Sequence, residues 1–179
     1  LSLDAYLDKT RIPLKIDIST GDVITPCEIS FSYQLMFENR TIPLLAYPPE
    51  TVLAEKLETI LSRGEANTRL RDFYDVYILQ REDFVVTPDA LRYALLATCR
   101  KRGHEDLLHT YASILDRVRQ SDTMRTQWMK YQSDFDYAAG ITWDTVLDTV
   151  ETLCMKTLDD HAFGDELPQE ESQFEMHLL

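Results

Sequence analysis

The chain of 179 residues contains 44% hydrophobic and 27% charged residues, a balance that is typical of a globular protein and excludes a disordered chain. Its formal net charge of -13 excludes a broad nucleic-acid-binding surface but is compatible with one local, basic pocket for phosphate. No apolar run could span a bilayer and residues 1–8 do not resemble a signal peptide, so the sequence predicts a cytoplasmic protein without a membrane partner.

The first third of the chain alternates apolar and polar residues, which is typical of strands. The predicted strands cover residues 1–8, 12–18, 28–37 and 41–46. From Pro48 onward the apolar residues follow a helical period instead. The sequence therefore predicts an α+β fold, in which a partial sheet within residues 1–46 precedes a helical C-terminal lobe.

Several helix ends carry local signals in the sequence. Gly64 is predicted to end the first helix, and Asn67 or Thr68 to cap the second. Thr87 is the predicted N-cap of the third helix, which ends before Gly103. A later helix carries an aromatic-rich stripe that predicts core packing and no ligand, namely Met124, Trp128, Tyr131 and Phe135.

The first two helices each carry a charge on the side that should be apolar. Lys56 falls within the apolar arc of the first helix, opposite Glu58, and Asp72 falls within the arc of the second, with Asp75 beside it. A buried, unpaired charge is costly, so such groups are usually paired or used at a site. Periodicity alone slightly favours a Lys56–Asp72 ion pair between the helices and leaves a functional site open as the alternative.

Four stretches together carry a more specific pattern. They are Leu14 to Asp22, Tyr47-Pro48-Pro49-Glu50, Leu53-Ala54-Glu55-Lys56, and Arg69-Leu70-Arg71-Asp72-Phe73-Tyr74-Asp75. In this combination residues 11–80 resemble the AbiEii/AbiGii toxin family of nucleotidyltransferases. The resemblance implies that residues 1–80 are the remainder of a catalytic lobe. Helical periodicity predicts a helical bundle over residues 81–158, and the acidic composition without a sustained period predicts a mobile tail over residues 159–179.

The resemblance also implies a site for nucleotidyl transfer, a reaction in which cations neutralise the triphosphate and carboxylates hold divalent metal. The resemblance implies that Lys56 and Asp72 are catalytic and that Lys56, Arg69 and Arg71 bind the nucleotide. It also implies that Asp75 supports the Arg71 side chain and that Asp17 binds metal. Asp72 would accept the proton of the attacking hydroxyl or orient Lys56 and a water. The implied cofactor is Mg²⁺, and the implied partners are an NTP, a tRNA or protein acceptor, and the antitoxin of a toxin–antitoxin or phage-defence system.

One departure from the family pattern is clear. No Gly-Ser dipeptide precedes an Asp-x-Asp, and the one Asp-x-Asp, Asp134-Phe135-Asp136, falls at the end of the aromatic helix. We therefore expect the chain to be the C-terminal part of a longer protein and to be inactive by itself. Two alternatives stay open: a non-catalytic helical interaction module, and a related enzyme that transfers phosphate instead of a nucleotide.

Overall fold

The computed structural model describes residues 1–81 and 86–159. Within these ranges two β-hairpins precede six α-helices. The strands are β1 (Ser2–Leu7), β2 (Thr10–Lys15), β3 (Ile29–Gln34) and β4 (Thr41–Ala46). The helices are α1 (Pro49–Arg63), α2 (Leu70–Leu79), α3 (Pro88–Arg102), α4 (Leu107–Gln120), α5 (Asp122–Asp134) and α6 (Trp143–Leu158), with short 3₁₀ turns at Gly64–Ala66 and Asp136–Ala138. The predicted α+β class, with a helical C-terminal part, is confirmed.

The strands form two separate antiparallel sheets of two strands each, β1 with β2 and β3 with β4. Their apolar side chains are largely exposed, and Phe31 and Leu45 are 50% and 77% accessible. The predicted strand over residues 12–18 is wrong at its end, because β2 stops at Lys15. The reason is pairing: β2 extends as far as it pairs with β1, and the last pair of the register joins Ser2 and Lys15.

The helices enclose one hydrophobic core. Leu53 and Leu57 of α1 and Phe73 of α2 are fully buried in the same cluster as Leu95 of α3 and Val150 of α6. The first two helices, which position the candidate site, therefore pack against the helices that follow them. A domain boundary at residue 80 stays a prediction. The predicted tail, from Asp160 onward, lies outside the described residues.

The local signals at helix ends had mixed outcomes. The Thr87 side chain accepts a hydrogen bond from the backbone N–H of Ala90, and Gly103 follows α3 in the left-handed conformation, as predicted. The predicted cap of α2 is wrong, because Arg69 occupies the N-cap position without a side-chain bond. The Asn67 side chain instead accepts the backbone N–H of Arg69, at 2.7 Å, and so holds the turn that leads into α2.

Glu58 is a further correction, since the sequence placed it opposite the apolar arc of α1. Its side chain is only 2% exposed. Arg102, at the end of α3, pairs with one carboxylate oxygen, and Nδ1 of His104 lies 2.6 Å from the other. The outer face of α1 is therefore covered by the end of α3. None of the helices in the described ranges has the length and apolar character needed to cross a membrane.

Candidate active site

A cavity of about 740 Å³ lies between α1, α2 and α5. Lys56 enters it from α1, residues 68–75 form a second wall, and the C-terminal half of α5 forms a third. Its lining comprises Lys56, Thr68, Arg69, Leu70, Arg71, Asp72, Asp75, Gln127, Lys130, Tyr131, Asp134 and Phe135. The cavity thus collects every residue to which the sequence assigned a role, with the exception of Asp17.

Lys56 is held between two carboxylates of α2. Its Nζ lies 2.6 Å from Oδ2 of Asp75 and 3.3 Å from Oδ1 of Asp72. The three side chains are 15–23% exposed, so the ion pair is largely removed from water without being sealed. The predicted Lys56–Asp72 pair is present, but Asp75 is the nearer partner. Because α2 presents Asp72 and Asp75 three residues apart, one ammonium can contact both.

Asp75 also faces Arg71, whose Nε lies 3.7 Å from its second oxygen. This contact agrees with the expected support of Arg71, although that side chain is 77% exposed and the bond is correspondingly weak. Asp75 therefore joins an inner cation, Lys56, to an outer cation at the mouth of the cavity.

The charge of the cavity differs from that of the whole chain. Among the described residues, four cations and three carboxylates line it, in a protein of net charge -13. The cations are Lys56, Arg69, Arg71 and Lys130. Such a local excess of positive charge is what an anionic ligand requires, because phosphate responds to nearby charge and not to the protein average.

Two buried oxygen atoms in the lining have no hydrogen-bond partner within the described residues: Oδ2 of Asp72 and Oε1 of Gln127. A buried acceptor without a partner costs roughly 1–3 kcal/mol, and most proteins avoid it. The first oxygen belongs to a carboxylate whose other oxygen contacts Lys56. Asp72 thus has one carboxylate oxygen that no described residue binds.

The whole wall contributed by α5 was missed by the sequence analysis. Gln127, Lys130, Tyr131 and Asp134 recur at the spacing of one helical face, and this signal was present in the sequence. What the sequence did not reveal is that the face meets α2. The stripe assigned only to core packing is split, since Trp128 is buried whereas Phe135 is 41% exposed and lines the cavity.

Asp17 is not among the residues that line the cavity. Its side chain is 80% exposed and pairs with Lys15, at 3.3 Å. Within residues 1–81 and 86–159 no group of three or more acidic, His or Cys side chains is arranged to hold a metal ion. The two inner carboxylates, Asp72 and Asp75, already pair with Lys56, so the described residues do not by themselves fit Mg²⁺.

The comparison with known protein families assigns the chain. The family described as "Nucleotidyl transferase AbiEii toxin, Type IV TA system" matches residues 1–149, which include every described residue of the cavity. No curated protein and no solved structure matches the chain. The chain therefore belongs to the AbiEii family of nucleotidyltransferase toxins from type IV toxin–antitoxin systems.

Proposed function

We propose that the cavity binds an NTP for transfer of its nucleoside monophosphate to an acceptor, either an RNA such as tRNA or a protein. One observation carries the proposal: Lys56 is clamped by two carboxylates inside a cation-lined cavity of an acidic protein. As a toxin of this family the protein has a cognate antitoxin as its partner. A role in phage defence and action in the cytoplasm belong to the same proposal.

The proposed roles follow from position. Lys56, a compact ammonium on a flexible stem, contacts the phosphates, and Arg69 and Arg71 contact them nearer the mouth. The acceptor hydroxyl oxygen attacks the α-phosphorus, the bond to the pyrophosphate oxygen breaks, and pyrophosphate leaves. The hydroxyl proton passes to Asp72, whose second oxygen has no partner. Asp75 keeps Lys56 in place while Asp72 changes its charge.

Mg²⁺ is part of the proposal because of the family resemblance. When bound it would neutralise charge on the triphosphate. Asp72 and Asp75 alone are not a metal site, since both contact Lys56. Asp17 as a metal ligand likewise stays a prediction. The roles proposed above belong to protein side chains and do not depend on a metal position.

The missing Gly-Ser and Asp-x-Asp pattern leads to a separate proposal: the 179 residues bind an NTP but do not complete transfer. The gene sequence on the 5′ side of the Leu1 codon tests whether the two motifs precede the 179 residues. Codons for Gly-Ser followed within about a dozen residues by Asp-x-Asp would supply the carboxylates that the resemblance implies. A reading frame that starts at Leu1 would instead contradict the enzymatic proposal.

Binding of an NTP to the chain is the direct test. Lys56→Met should weaken binding by roughly 10- to 100-fold, the usual effect of losing a hydrogen bond to a charged group. Lys101→Met is the matched control, because Lys101 lies exposed in the last turn of α3 and outside the cavity. Equal affinities of the wild type and Lys56→Met would refute the proposal.

Two measurements separate the alternatives. With the longer protein that the resemblance implies, an acceptor that gains the mass of a nucleoside monophosphate identifies nucleotidyl transfer, whereas a gain of one phosphate identifies the related phosphotransferase. A non-catalytic interaction module is favoured by the exposed apolar side chains of the two hairpins, such as Phe31 and Leu45. That candidate predicts no affinity for any NTP.

A further inference from the structure

Two exposed aromatic rings form a platform beside the cavity. Phe135 and Tyr137 are 41% and 50% accessible, and their rings stack with centroids 5.3 Å apart and planes inclined by 29°. Single exposed apolar residues are common and require no explanation. Two partly exposed rings that stack on each other beside a cation-lined cavity are a more specific feature, because aromatic side chains offer surfaces on which a flat ligand can stack.

Rings behind the platform fix its orientation. Tyr131 lies 4.7 Å from Phe135, and Tyr74 of α2 lies 4.8 Å from Tyr137, both between ring centroids. The hydroxyl groups of Tyr131 and Tyr137 are hydrogen-bonded at 2.9 Å, and burial together with this bond raises the pKa of Tyr131. A ligand that stacks on the platform therefore meets rings that are already ordered, which lowers the entropic cost of binding.

The platform adjoins the cations of the cavity. Phe135, which directly follows α5, lines the cavity together with Lys130 of α5 and with Arg69 and Arg71 of the opposite wall. A flat aromatic surface next to several cations is the combination by which proteins hold nucleotides, with bases on the rings and phosphates on the cations. Every base has a π-face, so this arrangement does not require a particular sequence.

We propose that a nucleobase stacks on the Phe135–Tyr137 platform while the phosphates of the same nucleotide contact the cations of the cavity. The inference rests on the proposed function, because it assumes that the cavity holds a nucleotide. Two sources can supply the base: the NTP donor, or the terminal nucleotide of an RNA acceptor. Both present the same chemistry to the rings, and the experiment separates them.

The first arm of the experiment compares an NTP with ribose 5-triphosphate, which carries the same phosphates without a base. Phe135→Leu removes the π-face but keeps an apolar side chain, and Phe135→Trp keeps the π-face. If the NTP supplies the base, Phe135→Leu should weaken NTP binding by roughly 5- to 100-fold, the usual effect of base–aromatic stacking. It should leave ribose 5-triphosphate binding unchanged, and Phe135→Trp should retain NTP binding.

The second arm uses a short single-stranded RNA and the same RNA with an abasic 3′-terminal residue. If the acceptor supplies the base, Phe135→Leu should weaken binding of the intact RNA by a similar factor and leave the abasic RNA unaffected. Tyr93→Leu is the matched control in both arms, since Tyr93 is an exposed aromatic residue of α3 outside the cavity. Melting temperatures establish that each variant is folded.

The outcomes separate this inference from the proposed function. A selective loss in either arm supports the platform and identifies the source of the base. If Lys56→Met weakens NTP binding but Phe135→Leu changes neither arm, the platform is refuted and the proposed function stands. If the wild type binds no nucleotide and no RNA, both are refuted.

Discussion

The two contacts of Lys56 predict different coupling energies. At an effective dielectric constant of about 20, Coulomb's law gives about 6 kcal/mol at the 2.6 Å separation from Asp75 and about 5 kcal/mol at the 3.3 Å separation from Asp72. Loss of hydration offsets most of both terms. The excess of about 1 kcal/mol in favour of Asp75 should survive, because the two carboxylates are similarly exposed.

Double-mutant cycles measure this difference. The variants are Lys56→Met, Asp75→Asn, Asp72→Asn and the two double variants that contain Lys56→Met, each unfolded in urea and followed by circular dichroism. We expect a Lys56–Asp75 coupling of about 2 kcal/mol and a Lys56–Asp72 coupling of about 1 kcal/mol. The exposed Arg11–Asp4 pair is the control and should couple by no more than about 1 kcal/mol. A Lys56–Asp72 coupling that equals or exceeds the Lys56–Asp75 coupling would refute the assignment of Asp75 as the anchor.

Two further predictions concern stability away from the cavity. Glu58→Gln should lower the free energy of unfolding by roughly 2–4 kcal/mol, because the buried carboxylate is the partner of Arg102. The control Glu65→Gln, at an exposed position, should change it by less than about 0.5 kcal/mol. Equal effects of the two substitutions on urea unfolding would contradict this prediction. Burial raises the pKa of the Cys154 thiol from 9.0 to about 12. Above pH 9 the thiol therefore loses its proton in the unfolded chain before it does so in the folded protein. This difference lowers the free energy of unfolding by roughly 1.4 kcal/mol per pH unit. Urea unfolding between pH 9 and 11 should therefore have a shallower pH dependence in Cys154→Ala than in the wild type, and equal slopes in the two proteins would contradict this reasoning.

Features that depend on neighbours in sequence were predictable. The Thr87 cap and the Gly103 end of α3 were predicted because a cap is an interaction within one turn of chain. The partial burial of Lys56 and Asp72 followed from helical periodicity. The end of β2 was not predictable in this way, because it depends on the register in which β2 pairs with β1.

Features that depend on distant contacts were missed. Glu58 was expected to face water because periodicity describes one helix in isolation, and only the packing of α3 brings Arg102 against it. The same limit explains why Phe135 was assigned to the core. A stripe of aromatic residues indicates which face of a helix is apolar, but it does not indicate at which residue the neighbouring helices cease to cover that face.

The α+β class, both ends of α3 and the family resemblance were readable from the sequence, because they follow from periodicity, capping and motif spacing. The packing of the helices was needed to reveal that Asp75 is the nearer partner of Lys56 and that α5 completes the cavity. The physical reason is that a distance between side chains on different helices depends on how those helices pack. That packing is set by the shared core, to which residues far apart in the chain contribute together.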